Sequence, residues 1–527
     1  MTRFATALLF AACALAAQSR ATNLTVCTES APDGFDIAQY ESAVTNDAAG
    51  LTIYDQLLLF KPGTTEVIPG LAEKWEISAN GLDYTFHLRA EARWPNGDAV
   101  TADDFVAGLR RGADPATGSS YSEILAPIAN AAAVTAGKLP PAQLGVDAVD
   151  AVTLHIRLKA PAPYFLGLLS HSTTYPIHRP SLATYGAGFA RAGKLVSNGA
   201  YALSEWVVQS QVTLKRNPYY WDNAHTTIDQ VIYYPTEDLN TELKRYRTGE
   251  LDYTYEIPLV QANWIRQTFG SQLRIATYAG TYYYGYNLTR PPFKDNVKLR
   301  EALALAIDRE LIVNKVMNGV AMPAYGWVPP GMWNYTPQVP AWAHWTREQR
   351  IAQARKLYAE AGYTPDHPAQ VEVRYNTHED HKRIAVVIAA MWKQHLGVET
   401  TLVNEEFKVF LNNRKLKRVT QAFRSSWIAD YNDASAFADI LRSTHGQNDS
   451  GYVSASYDAL LAQIGAEPDM VRRRELLEQA ERQVLTDWPV LPIYYYVSKH
   501  LVKPYVQGWE DNILDYHYSK DLRLAAH

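Results

Sequence analysis

The amino-acid sequence predicts a mixed α/β fold that is divided into two or three domains. Strand-like and helix-like patterns alternate along the 527 residues without a fixed repeat. A chain of this length exceeds what one hydrophobic core usually supports, and an apolar content of 47% is enough to build several cores.

Two segments alternate apolar and polar residues in the way that is typical of half-buried β-strands. They are Tyr84–Arg89 and Val152–Leu158. The tyrosine triplets Tyr282–Tyr284 and Tyr494–Tyr496 are compatible with strands, in which successive side chains point to opposite faces. In each triplet we therefore expect the outer two rings to face one way and the middle ring to face the other.

Three segments have the spacing of amphipathic helices. The first is predicted as one helix over Leu299–Met317. The second begins at a capping box formed by Thr346 and Gln349 and ends near Gly362. The third is predicted over Val471–Leu485. These patterns predict core packing and do not indicate any chemistry.

The first 21 residues predict a cleavable signal peptide. Arg3 supplies a positive charge, and Ala5–Ala17 is an almost unbroken apolar run, shorter than the roughly 20 residues that span a bilayer. Cleavage is compatible with three positions, which follow Ala16, Ala17 and Ala21. We therefore expect the mature protein to be soluble and located outside the cytoplasm.

The two cysteines predict neither a lipid anchor nor an internal disulfide. Cys13 follows Phe-Ala-Ala and faintly resembles a lipoprotein cleavage box, but cutting there would leave an unusually short apolar region. Cys27 then has no cysteine partner in the mature chain. The formal net charge of -5 lacks the basic character of nucleic-acid-binding proteins, so no such partner is expected.

Catalytic signatures are missing from the sequence. It contains no GxSxG nucleophile motif, no Walker loop and no HExxH zinc motif. His378 and His381 are the best metal candidates, yet no third ligand is evident near them, and a solvated turn between a strand and a helix explains them as well. We expect no enzyme activity, no cofactor and no bound metal.

The segment SSWIADYND, at Ser425–Asp433, is the most informative in the chain. It places a lone carboxylate, Asp430, beside Trp427 and Tyr431 after a short strand-like run. Aromatic side chains provide the large, stiff contact area that ligand pockets require. Taken alone, Asp430 would be interpreted as a helix N-cap or a turn residue.

Segments spread over nearly the whole mature chain resemble the family 5 extracellular solute-binding proteins of ABC importers, and are most similar to the oligopeptide-binding members. The matching segments are TTEVIPGLAEKWEIS (Thr64–Ser78), LVSNGAY (Leu195–Tyr201), NPYYWDNA (Asn217–Ala224), RPPF (Arg290–Phe293), LIVNKV (Leu311–Val316), AGYT (Ala361–Thr364), WIADYND (Trp427–Asp433), PVLPIYYYV (Pro489–Val497) and LVKPY (Leu501–Tyr505). The opening, Val26–Phe35, is closer to dipeptide-binding relatives, which often have a second cysteine that this chain lacks.

This resemblance implies a three-lobed periplasmic binding protein of the class II, Venus-flytrap type, with mixed sheets, flanking helices and a two-crossing hinge. The implied boundaries are residues 22–59, 186–278 and 501–527 for lobe I, 60–185 for lobe II and 279–500 for lobe III. Hinge crossings are expected near Thr281 and near Val497. A ligand would be trapped when the lobes close about that hinge.

The resemblance also implies how a peptide would be held at its amino end. Asp430 would pair with the α-ammonium group, and the main chains of Ser426 and Ile428 would pair with the extended peptide as an added strand. Trp427 would line a side-chain pocket. Bridging waters would let these pockets accept varied side chains.

For the carboxyl end, the resemblance points to Arg424, Arg414 and His381 as receivers for peptides of different length. Without the family, Arg414 would be interpreted as part of a solvated basic run, NNRKLKR. Phe407 stands where relatives usually have Trp, and Met317 where they often have Lys, so the pocket polarity and length preference of the relatives do not carry over directly.

The expected ligands are short peptides, from dipeptides to pentapeptides, and the expected partner of the monomeric protein is an inner-membrane ABC permease. Two alternatives stay open. The same fold is used for other solutes, namely murein peptides, dipeptides, nickel complexes or haem. A secreted metal-dependent hydrolase that uses His378 and His381 has less support, because a third ligand is missing.

Overall fold

The computed structural model describes residues 22–28, 34–39, 51–119 and 121–526, and the fold is mixed α/β as predicted. The predicted signal peptide, Cys13 and part of Val26–Phe35 lie outside the described residues. Three sheets of four or more strands dominate the structure. None of the helices in the described part of the chain is long and apolar enough to cross a membrane.

The first sheet joins the amino-terminal strand to a central part of the chain. Its strands are β1 (Asn23–Thr28), β8 (Tyr201–Val207), β9 (Gln211–Arg216) and β10 (Gln230–Pro235), in the order β1-β10-β9-β8. β1 runs parallel to β10, and the other neighbours are antiparallel. Buried apolar side chains such as Leu24, Leu214 and Val231 form its core.

The second sheet is antiparallel and contains both strands that the alternation predicted. Its strands are β4 (Ala72–Ile77), β5 (Asp83–Leu88), β6 (Val146–Asp150) and β7 (Thr153–Arg157), in the order β4-β5-β7-β6. The apolar residues of β5 and β7 are buried and the residues between them are more exposed. A hairpin, β2 (Leu58–Phe60) with β3 (Val67–Pro69), precedes this sheet.

The third sheet has six strands and presents the segment that contains Asp430. Its strands are β11 (Leu273–Tyr286), β12 (Met322–Pro323), β13 (Gln370–Asn376), β14 (Glu399–Glu405), β15 (Ala422–Ile428) and β16 (Val490–Leu501), in the order β12-β16-β11-β15-β13-β14. A short pair, β17 (Val506–Gln507) with β18 (Arg523–Leu524), closes the chain.

The two longest strands, β11 and β16, leave the third sheet as a two-stranded ribbon. Their pairing shifts register between Thr277 and Thr281, and β15 joins β11 only from Gly280 onward. Beyond the ribbon, Tyr253 forms bridges to both Val26 of the first sheet and Val502. The ribbon therefore connects the first and third sheets.

The first tyrosine triplet faces as predicted. Tyr282 and Tyr284 belong to one buried core, and Tyr282 stacks on Tyr494 with ring centroids 4.6 Å apart. Tyr283 points the other way and packs edge-on against Trp327 at 4.8 Å. These rings therefore build the cores on the two faces of the sheet.

Helices cover the sheets. Those of five or more residues are Ala102–Ala113, Ala131–Thr135, Arg179–Tyr185, Leu239–Thr248, Ala262–Phe269, Val297–Leu305, Ile312–Val316, Arg347–Glu360, Glu379–Leu396, Phe407–Leu416, Ala455–Ala466 and Met470–Asp487. The capping box of Thr346 and Gln349 is confirmed, with both reciprocal hydrogen bonds present. The helix predicted over Val471–Leu485 is confirmed as Met470–Asp487.

The prediction of one continuous helix over Leu299–Met317 is wrong. The first helix ends at Leu305, and Asp308 then starts a new turn by accepting a hydrogen bond from the Leu311 main chain. Asp is a strong N-cap residue because its carboxylate satisfies an amide at the start of a helix. The apolar spacing continued across this break, so periodicity alone concealed it.

Candidate functional site

Strand β15 has one paired edge and one edge that is open for most of its length. It pairs with β11 from Ala422 to Ile428, but β13 reaches only Ala422 and Phe423 on the other side. From Arg424 to Ile428, no strand in the described ranges covers that second edge. An open edge of this kind is a template on which an extended peptide can pair as an added strand.

The alternation of β15 decides which main-chain groups face the open edge. The Ala429 amide donates to the Ala279 carbonyl on β11. Successive residues of a strand present their polar main-chain groups to opposite edges. Ser426 and Ile428 therefore present theirs to the open edge, whereas Trp427 presents its groups to β11.

A cavity of about 1060 Å³ lies in front of this strand. Ser426, Trp427, Ile428 and Asp430 line one wall. Other parts of the wall come from the segments 121–171, 255–278, 435–473 and 496–516. The cavity is therefore bounded by segments that are distant in sequence.

Asp430 lies just beyond the end of β15 and is half-buried in the cavity wall. No hydrogen bond or ion pair links its side chain to any other residue that the structure describes. Burial raises the pKa of this carboxyl group to about 7, and the neighbouring charge of Glu123 adds to the increase. The site is thus an unpaired acid for which a cationic ligand group would supply the missing partner.

The turn that carries Asp430 is fixed on both sides. Tyr431 stacks on Tyr164 with ring centroids 5.0 Å apart. Asp433 accepts two hydrogen bonds, of 2.7 and 2.9 Å, from the guanidinium of Arg473, and both side chains are buried. The turn that contains Asp430 is therefore held in place by the contacts of Tyr431 and Asp433, which do not involve Asp430 itself.

Arg424 is a half-buried cation without an acidic partner in the described part of the chain. Its Nη1 donates to Asn376 Oδ1 at 3.3 Å, and its guanidinium lies 5.1 Å from the centre of the Tyr282 ring. No carboxylate of the described residues forms an ion pair with it, and its buried Nε has no hydrogen-bond partner among them. A guanidinium with a buried, unsatisfied nitrogen favours an anionic ligand group.

The family model for the bacterial extracellular solute-binding proteins, family 5 (middle), matches residues 66–449. The chain belongs to this family. It is 41% identical to the periplasmic oligopeptide-binding protein OppA of Salmonella typhimurium, over 87% of this chain and 85% of that protein.

Solved structures of family members share the fold. The murein tripeptide binding protein MppA of Escherichia coli has a TM-score of 0.87 and 33% identity, covering 97% of this chain and 99% of that one. The Haemophilus influenzae OppA complex with RPPGFSPFR has a TM-score of 0.84 and 32% identity, covering 96% of this chain and 99% of that one. The predicted three-lobed binding-protein fold is thus supported by the fold of its relatives.

Two of the predicted receivers of a peptide carboxylate are not free cations in this family member. The Nε of Arg414 lies 2.6 Å from Asp449, so this arginine already has an anionic partner and is not part of a solvated basic run. Burial lowers the pKa of His381 to about 2, and Arg424 and His378 add to the decrease. His381 is therefore neutral, and it lies outside the cavity wall together with Arg414 and Arg424.

Phe407 and Trp427 differ in their surroundings. Phe407 begins the helix Phe407–Leu416 and is 52% exposed, outside the wall of the cavity. Trp427 lines the cavity, and its buried Nε1 has no hydrogen-bond partner among the described residues. Trp427 therefore has a donor available at the site, whereas Phe407 does not contribute to this cavity wall.

The structure agrees with the interpretation of His378 as part of a turn between a strand and a helix. Its Nδ1 accepts a hydrogen bond from the Asp380 amide, and it is the N-cap of the helix Glu379–Leu396. Among the described residues, the groups of three close metal-ligating side chains do not include His378 or His381.

Sequence reasoning missed the residues that face β15 across the cavity. Glu123, Lys159 and Tyr164 belong to the wall. They come from a segment more than 250 residues before Asp430, and no local motif marks them. Only the tertiary fold, which places these residues and β15 around one cavity, brings them to the site.

Proposed function

We propose that this protein captures short peptides in the cavity beside β15 and delivers them to an ABC importer. The observation that carries the proposal is an unpaired acid, Asp430, at the end of a strand edge that has no neighbour. A free peptide needs these two features, because it has a cationic end and a row of unsatisfied main-chain groups. The relatives named as oligopeptide-binding proteins support the same ligand class.

The amino end of the peptide would bind at Asp430. Its carboxylate lacks a partner in the described structure, so an α-ammonium group gains an ion pair without displacing one. The main chains of Ser426 and Ile428 would then bind the peptide backbone along the open edge, and Trp427 would contact a side chain.

The carboxyl end of the peptide would extend along β15 past the cavity wall to Arg424, which lies outside that wall. Arg424 and Asp430 are six positions apart, which corresponds to roughly 20 Å at about 3.3 Å per residue, and the arginine side chain spans part of that distance. The remaining distance suits a short extended peptide. His381 would contribute a neutral hydrogen bond, and Arg414 would have to exchange Asp449 for the ligand.

The three lobes proposed from the sequence each contain one of the large sheets. Lobe I would carry β1 and β8–β10, lobe II β4–β7, and lobe III most of the six-stranded sheet. The ribbon of β11 and β16, with its register shift near Thr281, would be the hinge. On opening, lobes I and II would move together away from lobe III. Glu123 and Lys159 of lobe II would then separate from β15.

A periplasmic monomer that docks on an inner-membrane permease fits this proposal, and the names of relatives place those relatives in the periplasm. Native mass spectrometry of protein purified from cells would identify a retained ligand. We expect the masses of short peptides. A single murein peptide would instead favour the specialised role named for MppA.

Acetylation of the peptide amino group provides the direct test of this function. In calorimetry with a tripeptide of small side chains, we expect the unmodified peptide to bind and its N-acetylated form to show no measurable binding. The acetyl group removes the charge that Asp430 would neutralise and leaves that acid buried without a partner. Equal affinity for the two forms would contradict the proposal.

The pH dependence of binding follows from the titration of both partners. Asp430 must be ionised to hold an ammonium, and its pKa is raised to about 7, so affinity should rise as the pH increases toward 7. Above a pH of about 8 the α-amino group loses its proton and the affinity should fall again. Calorimetry should therefore give a maximum between these values, and no change in affinity on the acidic side would contradict the assignment.

A further inference from the structure

Three metal-ligating side chains converge beside the cavity, away from β15. They are His500 near the end of β16 and Asp515 and His517 in the C-terminal segment. One ligand atom from each lies within 4.8 Å of the others. His500 and Asp515 also line the cavity.

We infer that His500, Asp515 and His517 form a binding site for a divalent transition-metal ion such as Zn²⁺. Two imidazole nitrogens and one carboxylate oxygen are donors that zinc accepts, whereas magnesium and calcium prefer oxygen alone. The inference goes beyond peptide capture, because none of the three residues belongs to the proposed peptide contacts.

The separations between the donor atoms are close to those that an ion requires. His500 Nε2 lies 2.9 and 3.0 Å from the two carboxylate oxygens of Asp515, and His517 Nε2 lies 3.0 Å from Oδ1. Bonds of about 2.0 to 2.1 Å in a tetrahedral site place donors roughly 3.3 Å apart. A small widening of these two contacts, with some approach of the two nitrogens, would therefore admit the ion in place of the shared protons.

Groups behind the ligands already hold them in orientation. His500 Nδ1 donates to the Thr254 carbonyl at 3.0 Å, which leaves Nε2 directed at Asp515. The His517 ring stacks on Trp509 with centroids 3.7 Å apart. The second nitrogen of His500 thus has the kind of hydrogen-bond partner that metal-binding histidines generally have, whereas the ring of His517 is positioned by stacking.

The backbone around Asp515 is also specialised. Asp515 has a φ of 58°, in the left-handed region that non-glycine residues seldom adopt. The side chain of Asn512 holds this turn by accepting from the amides of Leu514 and Tyr516. The turn therefore fixes the position of the Asp515 carboxylate between the two imidazoles.

A fourth coordination position would face the cavity, because His500 and Asp515 line its wall. Metal sites with three protein ligands keep such a position for water or another ligand. The ion would thus add a positive charge to the cavity wall near the ribbon of β11 and β16.

Zinc titration of chelator-treated, full-length mature protein tests the inference, with the metal content measured after dialysis. We expect one Zn²⁺ per chain for the wild type and at least a hundredfold weaker binding for His517→Phe, which keeps an aromatic ring to stack on Trp509. The matched control is His378→Phe, which removes an imidazole from the other close histidine pair, and it should bind zinc as the wild type does.

Two outcomes would overturn the site. If the wild type takes up no zinc, or if His517→Phe binds zinc as tightly as the wild type, the three side chains form a hydrogen-bond network only. Thermal unfolding without metal verifies that each variant is folded. Should His517→Phe fail to fold, Asp515→Asn is titrated in its place, and zinc binding equal to that of the wild type then overturns the site.

Discussion

Replacing Asp430 with alanine is expected to weaken the binding of a tripeptide by about 3 to 5 kcal/mol, because removing one partner of a buried ion pair leaves the other charge without compensation. No other described residue forms a hydrogen bond or ion pair with this carboxylate. Removing it should therefore change the affinity for the ligand and not the contacts within the protein. Isothermal titration calorimetry of wild type and variant with the same peptide measures the difference.

The matched control is Asp439→Asn. Asp439 also lines the cavity, but its carboxylate already accepts a hydrogen bond from Arg442. We expect it to change peptide affinity much less than Asp430→Ala. Similar losses in both variants would show that general charge in the cavity, and not a specific contact, governs binding.

Asp430→Ala should not unfold the protein. The pKa of Asp430 is raised to about 7 in the folded state from an ordinary value of about 3.9, so its ionisation costs stability progressively as the pH rises from about 4 to about 7, and the full cost is present above that. Without ligand, the variant should therefore be at least as stable as the wild type at pH values above 7. A lower unfolding temperature would mean that the loss of binding reflects damage to the fold.

Replacing Arg473 with methionine is expected to lower the free energy of unfolding by about 3 to 5 kcal/mol, since it leaves Asp433 buried without its cation. The side chains of Arg473 and Asp433 are only 1% and 2% exposed and are joined by two hydrogen bonds. Urea unfolding followed by tryptophan fluorescence measures the change.

Arg472→Met is the control for this change. Arg472 directly precedes Arg473 in the same helix, and its ion pair with Glu475 is exposed to solvent. Exposed pairs contribute about 0 to 1 kcal/mol, so this variant should unfold nearly as the wild type does. Equal destabilisation of the two variants would indicate a general effect on the helix Met470–Asp487.

The elements that sequence analysis located correctly are those in which one local rule decides the structure. The alternation in β5 and β7 and the capping box of Thr346 and Gln349 need only near neighbours. The predicted helix over Leu299–Met317 failed because Asp308 caps a new turn while the apolar spacing continues. The apolar spacing predicted a continuous helix there, whereas the capping residue predicted a new helix start, and the structure has the new start.

Only one wall of the candidate site, the wall formed by a single continuous segment, could be predicted from the sequence. SSWIADYND forms β15 and the turn with Asp430 as expected, and the open edge follows from its pairing. The facing wall, with Glu123 and Lys159, depends on tertiary packing that no local pattern records. The ion pair of Arg414 with Asp449 is likewise a long-range contact, so the sequence could not separate Arg414 from the unpaired Arg424.

The central claim is that Asp430 binds the ammonium group of a peptide, and a double-mutant cycle between protein and ligand tests it most directly. Calorimetry would compare a tripeptide and its N-acetylated form on wild type and on Asp430→Ala. If the two groups are in contact, acetylation should cost about 3 kcal/mol or more on the wild type and little on the variant. An equal cost of acetylation on both proteins would show that the amino group binds elsewhere and would contradict the claim.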